Sequence, residues 1–308
     1  MNVAEAVVVE GLCKEFRGRL GDRVMAVNDV SFAVDEGEIF GFIGPYGAGK
    51  TTTIKMLLGL LFPTAGKASV LGLPAGNIEA KERISYLPES PYFYEHMTGA
   101  ELLDFYCQLF RMGTVFRRKK VAELLDKVGL GKDGNRTLRQ YSKGMLQRVG
   151  IAQALINDPD LLFFDEPTSG LDPIAHKDIT DLILSLRKQG KTVFLSSHQL
   201  SDVEYVCDRV AIINRGELVR MGTLEELLHA GRTIVTLAGA SAELTEQVKP
   251  LAAHVMQDGE LLKVYVESED DVHKVLEAAR GKATLVSVVP QKQTLEDLFV
   301  EIVREGRK

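Results

Sequence analysis

Short apolar runs and amphipathic segments alternate along most of the chain. The runs Ile39–Ile43 and Leu161–Phe164 contain no polar side chain, which is typical of strands buried on both faces of a sheet. Residues 26–34 instead alternate between apolar and polar positions, and this pattern predicts a half-buried strand. Further strands are predicted at Thr192–Ser196 and Arg209–Ile213. Strands separated by helical segments indicate an α/β fold.

The middle of the chain predicts helices rather than strands. Thr98 is followed three residues later by Glu101, the capping-box pattern that begins a helix. Three helices are predicted here, at residues 98–111, 117–128 and 144–156. Residues of about 90–157 are therefore a predicted helical insert between two strand-rich portions of one domain.

The last part of the chain has its own pattern, after a first domain predicted over residues 5–230. In residues 231–308, strands are predicted at 234–237, 261–266 and 284–289, and helices at 241–253, at 270–280 and from 294. If Val255 and Met256 lie in another short strand, the order is β-α-β-β-α-β. This order predicts a small α+β accessory domain of the ferredoxin-like kind. No catalytic group of residues is apparent in it.

The composition is that of an ordinary globular protein, with 45% hydrophobic and 26% charged residues among 308. A net charge of −6 argues against a broad nucleic-acid-binding surface, and no apolar run is long enough to span a bilayer. Residues 1–5 lack the basic and apolar regions of a signal peptide. The 3 cysteines are far apart, without metal-ligand spacing, so we expect them to be reduced.

One glycine-rich stretch points to a function. It fits the phosphate-binding pattern G-x-x-x-x-G-K-[ST] and consists of Gly44, Pro45, Tyr46, Gly47, Ala48, Gly49, Lys50, Thr51 and Thr52. The buried strand before it and the predicted helix after it are the context that the pattern requires. Backbone N–H groups of such a loop point at an anion, beside the positive end of the helix dipole. Lys50 would then reach the β- and γ-phosphates of a nucleotide, and Thr51 would ligate Mg²⁺. The alternative is a glycine turn with a chance lysine.

A pair of carboxylates follows another buried strand. Asp165 and Glu166 come directly after Leu161–Phe164, at the strand end where open α/β sheets bind ligands. Asp165 is predicted to hold Mg²⁺ opposite Thr51, and Glu166 to orient and deprotonate the attacking water. An acidic turn is the alternative, and the phosphate loop upstream argues against it.

Two single residues have a functional and a structural interpretation. His198 follows the strand 192–196, so it could hydrogen-bond the γ-phosphate or the attacking water. Phe16 lies in a polar, turn-prone segment, where it either packs in the core or stacks on a nucleotide base. The sequence leaves these alternatives open. The four basic residues 117–120 are more typical of a solvated helix face than of a nucleic-acid or lipid site.

Further segments carry a resemblance to a known family. Tyr141–Arg148 resembles the LSGGQ signature of the ABC transporter ATPases, Pro167–Asp172 resembles their D-loop, and His198 their switch histidine. Together with the phosphate loop and the carboxylate pair, these motifs occur in the family's order. Residues 5–230 are thus similar to the ATP-binding subunit of an ABC transporter. The implied fold is a P-loop ATPase core with a mixed sheet and a helical insert.

The resemblance implies a site shared between two copies of the chain. In this family the γ-phosphate is held by the phosphate loop of one subunit and by the signature of the other, which here offers Ser142 and Gly144. Asp172 belongs to the adjacent D-loop and is expected near the same nucleotide. Two chains would close head to tail around two ATP molecules, and hydrolysis would release them. ATP and Mg²⁺ are the implied cofactors.

The chain departs from the family's usual pattern at several positions. Tyr46 replaces the usual Asn or Ser of the phosphate loop, and its side chain is expected to point outward. Glu89 stands where the family has the Q-loop glutamine, and its carboxylate could bind Mg²⁺ through water. Lys143 and Met145 replace a glycine and the glutamine of the signature. These variants resemble exporters whose permease is a separate ABC-2-type membrane protein.

The resemblance also implies a membrane partner. The segment Tyr92–Met97 lies where family members contact the permease, and Phe105 could line the same groove. The alternative is that these aromatic residues belong to the core of the insert. The chain would be cytoplasmic and peripheral, held by the permease on the inner face of the cell membrane. The transported substrate would be set by the permease.

A second functional class is an ABC ATPase that acts on ribosomes or DNA. The ribosome-acting type usually carries two cassettes, whereas this sequence has one phosphate loop and one signature. The DNA-repair type has long heptad coils within its cassette, and none separates Lys50 from Ser142. The acidic charge also disfavours both, so we expect a transport role and no nucleic-acid partner.

Overall fold

The computed structural model describes residues 4–18, 22–228, 233–290 and 294–305. The chain divides into two compact units, an N-terminal unit that ends at Leu224 and a C-terminal unit from Glu225 to Arg304. The boundary predicted between residues 230 and 231 falls in the segment 229–232, which lies outside the described residues.

The N-terminal unit contains two sheets and the helices that pack on them. In chain order its elements are β1 (Glu5–Arg17), β2 (Arg23–Asp35), β3 (Ile39–Ile43), α1 (Lys50–Leu57), β4 (Ala65–Val70), β5 (Leu73–Pro74), α2 (Ile78–Glu82), β6 (Ile84–Leu87), α3 (Gly99–Leu109), α4 (Thr114–Lys127), α5 (Lys143–Ala154), β7 (Leu161–Asp165), α6 (Pro173–Lys188), β8 (Thr192–Ser197), α7 (Leu200–Val206), β9 (Arg209–Asn214) and β10 (Glu217–Thr223). The short α8 (Leu224–Leu227) spans the boundary between the two units.

The larger sheet has six strands in the order β10-β9-β3-β8-β7-β6. All neighbours are parallel except β10, which pairs antiparallel with β9 through the turn at Arg215 and Gly216. The sheet is therefore mixed, as the resemblance implied. Because β3, β8 and β7 are adjacent and parallel, their carboxyl ends meet at one edge of the sheet. That edge carries the phosphate loop, the carboxylate pair and His198.

The smaller sheet has the order β2-β1-β4-β5 and is antiparallel. A cluster of phenylalanine side chains packs its strand β2 against the larger sheet. Contacting ring centres in this cluster lie 5.4 to 6.1 Å apart, and its members are Phe32, Phe40, Phe42, Phe163 and Phe194. Such aromatic pairs contribute about 0.5–1.5 kcal/mol each beyond burial. The cluster therefore fixes β3, β7 and β8, whose ends position the site.

The helical insert has the three helices that the sequence predicts, with shifted ends. The helix α3 ends at Leu109, two residues early, and α4 begins at Thr114, three residues early. The helix α5 begins at Lys143 because the Ser142 side chain accepts a hydrogen bond from the Met145 N–H and caps it. The hydrophobic pattern shows that a helix is present but does not mark the residue at which it begins or ends, so the ends predicted from sequence are shifted by a few residues.

The start of α3 provides a test of the local folding rules. The Thr98 hydroxyl accepts from the Glu101 N–H at 3.1 Å, and the Glu101 carboxylate accepts from the Thr98 N–H at 2.8 Å. We expect Thr98→Ala to lower the free energy of unfolding by about 1 kcal/mol, because one N–H of the first turn loses its acceptor. Urea unfolding followed by circular dichroism measures the change.

Thr114→Ala is the matched control, since it removes a threonine from the start of α4. The preceding residue there, Gly113, has no side chain to cap the helix. We expect the control to change stability by less than about 0.5 kcal/mol. Equal losses in the two variants would show that the capping box does not stabilise α3.

The C-terminal unit is a small α+β structure with an antiparallel sheet. Its elements after α8 are β11 (Thr233–Ala238), α9 (Ala242–Val248), β12 (His254–Asp258), β13 (Leu261–Val266), α10 (Glu269–Ala279), β14 (Thr284–Pro290) and α11 (Leu295–Glu305). The sheet order is β12-β13-β11-β14. Buried aliphatic residues of β11 and β13, such as Val235 and Val264, pack with Leu244 of α9 and Val275 of α10. Val255 and Met256 lie in β12.

Among the described residues, no helix is both long enough and apolar enough to cross a membrane. The three cysteines Cys13, Cys107 and Cys207 are free thiols. Cys207 is buried, and burial raises the pKa of its thiol. It packs close to Gly41 of β3, so its place in the structure is that of a small apolar core residue.

Candidate nucleotide-binding and catalytic site

The phosphate loop connects β3 to α1, and two of its glycines are required by close backbone approach. A Cβ atom on Gly44 would lie 2.3 Å from the carbonyl oxygen of Ile213, and one on Gly49 would lie 2.4 Å from that of Ala26. Gly49 also has φ of 108°, a conformation that other residues rarely adopt. The loop is therefore held tightly between β2 and β9, and any larger residue would push it outward.

Lys50 is the first residue of α1 and turns back over the loop. Its ammonium group donates to the carbonyl oxygens of Gly44 at 2.7 Å and Pro45 at 3.4 Å, and the residue is only 7% exposed. Thr51 and Thr52 follow it in the first turn and are half-buried, whereas Ala48 is buried. The loop thus places a cation and the positive end of a helix dipole at one point.

Asp165 ends β7 and is held by two hydroxyl groups. Its Oδ1 accepts from the Ser196 hydroxyl at 2.5 Å, and its Oδ2 accepts from the Tyr86 hydroxyl at 3.4 Å. Burial, followed by the charge of Asp165, raises the pKa of Tyr86, so this tyrosine stays a neutral donor. Neither partner is predicted from the sequence. They lie on the strands on either side of β7, and only the strand order shows that they meet Asp165.

Glu166 has an unusual backbone, with φ of 53° in the left-handed region. This conformation costs a residue other than glycine about 1–2 kcal/mol, and such strain is concentrated at functional sites. This backbone conformation is held by the Glu166 N–H group, which donates to both the carbonyl oxygen and the hydroxyl oxygen of Ser196, each at 3.1 Å. The turn sends the Glu166 side chain toward the phosphate loop, where its carboxylate meets Lys50.

The Glu166 carboxylate is buried and has two different oxygens. Its Oε2 accepts from the His198 N–H at 3.1 Å and lies 2.6 Å from His198 Nδ1. Its Oε1 lies 3.4 Å from the Lys50 ammonium group but has no hydrogen-bond partner within the described chain. One oxygen is thus fixed by His198, while the other is a free acceptor beside a cation. This arrangement suits an oxygen that receives a hydrogen bond from water.

Tyr46 contacts the same group of side chains. It is 72% exposed, as expected of an outward side chain, yet its hydroxyl lies 3.3 Å from His198 Nε2 and the two ring centres are 5.0 Å apart. The Lys50 ammonium group lies 5.7 Å from the centre of the Tyr46 ring. Tyr46, Lys50, Glu166 and His198 therefore form one cluster, which we call the loop-edge cluster.

A further buried carboxylate lies outside the loop-edge cluster. Asp202 on α7 is 4% exposed and accepts from the Thr168 hydroxyl at 2.7 Å. His176 on α6 lies 2.8 Å from it. Asp202 thereby connects the segment that follows Glu166 to two helices. The sequence analysis did not single it out, because an acidic residue in an amphipathic helix is normally a surface residue.

Phe16 lies in β1, opposite Val24 of β2, and not in a turn. It is 42% exposed, with the Lys14 ammonium group 5.3 Å from its ring centre. The interpretation of Phe16 as a core residue is therefore wrong. The polar residues around Phe16 favour a turn, but long antiparallel pairing with β2 extends the strand through it.

Two further predicted site residues lie apart from the loop-edge cluster. Glu89 is exposed in the loop after β6, and its charge contributes to the raised pKa of Tyr86. Asp172 caps α6, accepting from the N–H groups of Ile174 at 3.1 Å and Ala175 at 3.0 Å. These backbone bonds, that of Ala175 first, lower the pKa of Asp172.

The signature residues stand at the start of α5. Ser142 is exposed and caps the helix, with its hydroxyl 3.3 Å from the Met145 N–H. Gly144 is buried, and a Cβ atom there would lie 2.9 Å from that of Ala175. In the described chain, no hydrogen bond or ion pair joins these residues to the phosphate loop. The helix end and its serine hydroxyl are thus presented to the exterior.

The aromatic segment after β6 is largely exposed. Tyr92 is 96% and Tyr94 is 55% exposed, so the interpretation as core is wrong for both. Tyr94 packs edge-on against Phe105, with ring centres 6.2 Å apart. Phe93 is half-buried and points at Gly150 of α5.

The donor set suits Mg²⁺ held jointly with a nucleotide. The described residues contain no group of three or more His, Cys, Asp or Glu side chains that could hold a metal ion by itself. Mg²⁺ is usually bound by one or two protein oxygens together with substrate phosphates and water. Asp165 keeps lone pairs free beyond its two hydroxyl donors, and Thr51 follows Lys50 at the helix start. These residues fit the ion.

A glycine loop that wraps a lysine, followed by a helix and faced by a strand-end carboxylate pair, defines a P-loop nucleotide hydrolase. Within this class, three features are typical of the ABC ATPases: the smaller antiparallel sheet, the helical insert and the signature motif. A sequence model of the ABC transporter family matches residues 27–169. The chain belongs to this family of ATP-binding proteins, and it is an ATPase.

Several relatives align along nearly the whole chain. An ABC transporter ATP-binding protein of Synechocystis is 42% identical over 93% of this chain and 80% of its own length. The Nod factor export ATP-binding protein I of Rhizobium sp. (strain N33) is 35% identical over 98% of this chain and 99% of its own. A fluoroquinolones export ATP-binding protein of Mycobacterium tuberculosis is 42% identical over 66% of each chain.

Solved structures match the cassette. The ATP-binding cassette MJ0796, described as a dimer in a post-hydrolysis state with ADP and Pi, has a TM-score of 0.65 and 26% identity. The match covers 71% of this chain and 99% of that one. An ATP-binding subunit of an ABC transporter has a TM-score of 0.64 and 30% identity, over 72% of this chain and 91% of that one.

Proposed function

We propose that the chain is the ATP-hydrolysing motor subunit of an ABC exporter. The observation that carries this proposal is the Glu166 carboxylate, with one oxygen fixed by His198 and the other left as a free acceptor 3.4 Å from Lys50. A buried base beside a phosphate-binding cation is what hydrolysis of a nucleotide requires.

Within one chain, the phosphate loop binds the nucleotide. Residues 44–52 direct their N–H groups at the phosphates, and Lys50 binds the β- and γ-phosphates. Phe16 stacks on the nucleotide base, because its ring on β1 is exposed and can offer its face to the base. Thr51 and Asp165 would hold Mg²⁺, with Glu89 contributing through water, and the ion would supply positive charge beside the phosphates.

Hydrolysis uses the strand-end residues. The Lys50 ammonium group exchanges its ion pair with Glu166 for the phosphates, which frees Oε1 of Glu166 to orient water. The carboxylate takes the proton as water attacks. His198 holds Oε2 in place and can bond the γ-phosphate through Nε2.

The second half of the site comes from another copy of the chain. Ser142 and Gly144 at the start of α5 complete the γ-phosphate site of the opposite subunit, with Asp172 beside them. The exposed serine and the helix N-terminus support this role. ATP then favours a closed head-to-tail dimer, and hydrolysis reopens it. The MJ0796 cassette, described as a dimer with ADP and Pi bound, supports the pairing of two copies.

The membrane partner is a separate permease. Between α3 and α4 lies a groove of about 780 Å³, lined by residues that include His96, Met97, Phe105 and Arg117. Together with the exposed Tyr92 and Tyr94 it suits a short amphipathic helix. The export functions in the names of the relatives support a transport direction outward. We infer that the chain is held at the cytoplasmic face of the membrane by an ABC-2-type permease. The ferredoxin-like domain of residues 231–308 would then be an accessory domain.

We expect Tyr94→Ala to retain the basal ATPase rate while abolishing its stimulation by the permease. The exposed ring contacts Phe105 but none of the loop-edge cluster among its described contacts. The measurement compares phosphate release by the chain alone and with the permease in vesicles. Tyr205→Ala, an equally exposed tyrosine on α7, should retain both rates.

Equal loss of the basal and the stimulated rate in Tyr94→Ala would contradict docking at this groove. Cosedimentation distinguishes the transport role from the main alternative, an ATPase that acts on ribosomes or DNA. A transport subunit should sediment with membranes that contain the permease. An ATPase of the alternative class should bind ribosomes or DNA with no permease present.

A further inference from the structure

Asp202 lies outside every sequence motif of the site, yet its carboxylate joins three segments of the N-terminal unit. It is buried in the first turn of α7 and accepts from the Thr168 hydroxyl at 2.7 Å. His176 Nε2 of α6 lies 2.7 and 2.8 Å from its two oxygens. Because a carboxylate is costly to bury without such donors, these contacts fix the three side chains together.

Thr168 belongs to the turn that carries Glu166. This turn closes with a hydrogen bond of 3.2 Å from the Ser169 N–H to the Glu166 carbonyl oxygen, and Thr168 lies between these two residues. The left-handed backbone of Glu166 persists only while the surrounding structure holds it. Ser196 holds the Glu166 N–H. The hydroxyl bond to Asp202 holds the turn that follows.

The same carboxylate is tied to the loop that carries His198. The helix α7 begins directly after His198 and Gln199, so its first turn continues this loop. The Gln199 amide oxygen lies 3.1 Å from His176 Nε2. This nitrogen therefore faces acceptor oxygens on both Gln199 and Asp202, which makes it the donor to both. His176 thus fastens the His198 loop and the start of α7 to α6.

Beyond the paired strands β7 and β8, two side-chain contacts join the Glu166 turn to the His198 loop. At the site, Glu166 Oε2 lies 2.6 Å from His198 Nδ1. Away from it, the Thr168 hydroxyl donates to Asp202. Loss of the second contact would leave the turn free to move the Glu166 carboxylate. A displacement of about 1 Å in a reacting group can cost about 100-fold in rate.

We propose that Asp202 is a positioning residue for ATP hydrolysis. Through its bond to Thr168, it holds Glu166 in the orientation that meets His198. The proposal rests on the proposed function, since it takes Glu166 as the base. The described hydrogen bonds and ion pairs of Asp202 include none to the loop-edge cluster, so it acts through Thr168 and His176. Loss of its carboxylate should therefore lower kcat while nucleotide binding by the phosphate loop is retained.

The test measures kcat for phosphate release and the Kd of AMP-PNP for variants of the full chain. Thr168→Val removes the hydroxyl donor at nearly constant shape, and Asp202→Ala removes its acceptor. Each should lower kcat about 10- to 100-fold and change the Kd of AMP-PNP less than about twofold. Asp202→Asn should retain kcat within about threefold, because its amide group can donate to Thr168 while its oxygen accepts from His176.

Thr192→Val is the matched control for Thr168→Val. Thr192 is also a buried threonine, and its hydroxyl accepts from the Gly37 N–H at 2.9 Å, at the opposite end of β8 from His198. The control should lower the urea midpoint of unfolding but retain kcat within about twofold. A loss of kcat equal to that of Thr168→Val would show that turnover follows stability alone, and it would overturn the proposal.

A Glu166→Ala background separates positioning from a general structural role. With no carboxylate to align, Asp202→Ala should lower the residual turnover less than about twofold. The same loss in both backgrounds, or an unchanged kcat in both Asp202→Ala and Thr168→Val, would overturn the proposal while leaving Glu166 as the base. Normal turnover in Glu166→Ala would instead overturn the assignment of the base, and with it the proposed function.

Discussion

Glu166→Gln should leave ATP binding intact and slow hydrolysis by about 10²- to 10⁴-fold. The amide is close in shape to the carboxylate and can still accept the His198 N–H bond, but it cannot take a proton from water. The phosphate loop and Lys50 are unchanged, so the nucleotide remains bound. In the proposed cycle hydrolysis reopens the dimer, so the variant should accumulate as a nucleotide-trapped dimer. Phosphate release and gel filtration with ATP measure the two effects.

Glu38→Gln is a matched control for this variant. Glu38 is also a buried carboxylate, 8% exposed, and burial raises its pKa. It lies just before β3, at the opposite end of that strand from the phosphate loop, and contacts Arg209 at 3.2 Å. We expect it to retain turnover within about twofold, since it is remote from the chemistry. A Glu166→Gln variant that turns over normally as a monomer would contradict the assignment of the base.

The second large effect is expected for Lys50→Ala. Removing the ammonium group deletes the cation that would bind the β- and γ-phosphates, so ATP affinity should fall by at least about 100-fold. The Glu166 carboxylate would also lose its ion-pair partner while remaining buried. His198 still contacts the other oxygen of Glu166, so the loss should cost about 1–3 kcal/mol, and the variant should also melt at a lower temperature. Equilibrium binding of AMP-PNP and thermal unfolding measure these two losses.

Lys55→Ala removes a lysine from the same helix, α1, at an exposed position. It should change neither ATP affinity nor stability appreciably. ATP affinity retained in Lys50→Ala would show that the loop carbonyls, and not phosphates, are the functional partners of this lysine.

Much of the site could be predicted from sequence because its residues lie in short contiguous motifs. The loop from Gly44 to Thr52 has a fixed conformation set by its glycines and its flanking strand and helix. Asp165 and Glu166 follow directly on an apolar strand, and such strands end at a known edge of the sheet. These features depend only on residues that are close in sequence, so the sequence pattern predicts them.

The contacts that complete the site could not be predicted, because they join residues far apart in sequence. Ser196 and Tyr86 hold Asp165 from neighbouring strands, and their hydroxyl groups meet it only because the strands are ordered β8-β7-β6. Asp202 looks like a surface acid of an amphipathic helix until Thr168 and His176 are seen to surround it. Strand order and helix packing carry this information, and neither is encoded in a local pattern.

Tyr46 shows the same limit in a different way. Its position in the loop and its exposure follow from the sequence, since a bulky side chain has no room inside the loop. Its contact with His198 does not, because the two residues are separated by 152 positions and meet only when β3 and β8 pair. An exposed side chain can therefore still belong to a site.

The most direct test of the shared site mixes two inactive variants. Lys50→Ala lacks a working phosphate loop. Ser142→Asp keeps a residue that caps α5 but places a negative charge against the γ-phosphate of the opposite subunit. Each variant alone should release little phosphate, because both of its sites are defective. A one-to-one mixture should recover about a quarter of the unmodified rate, since half of the dimers are mixed and each has one intact site. No recovery in the mixture, or full activity of Ser142→Asp alone, would contradict a site completed by a second copy of the chain.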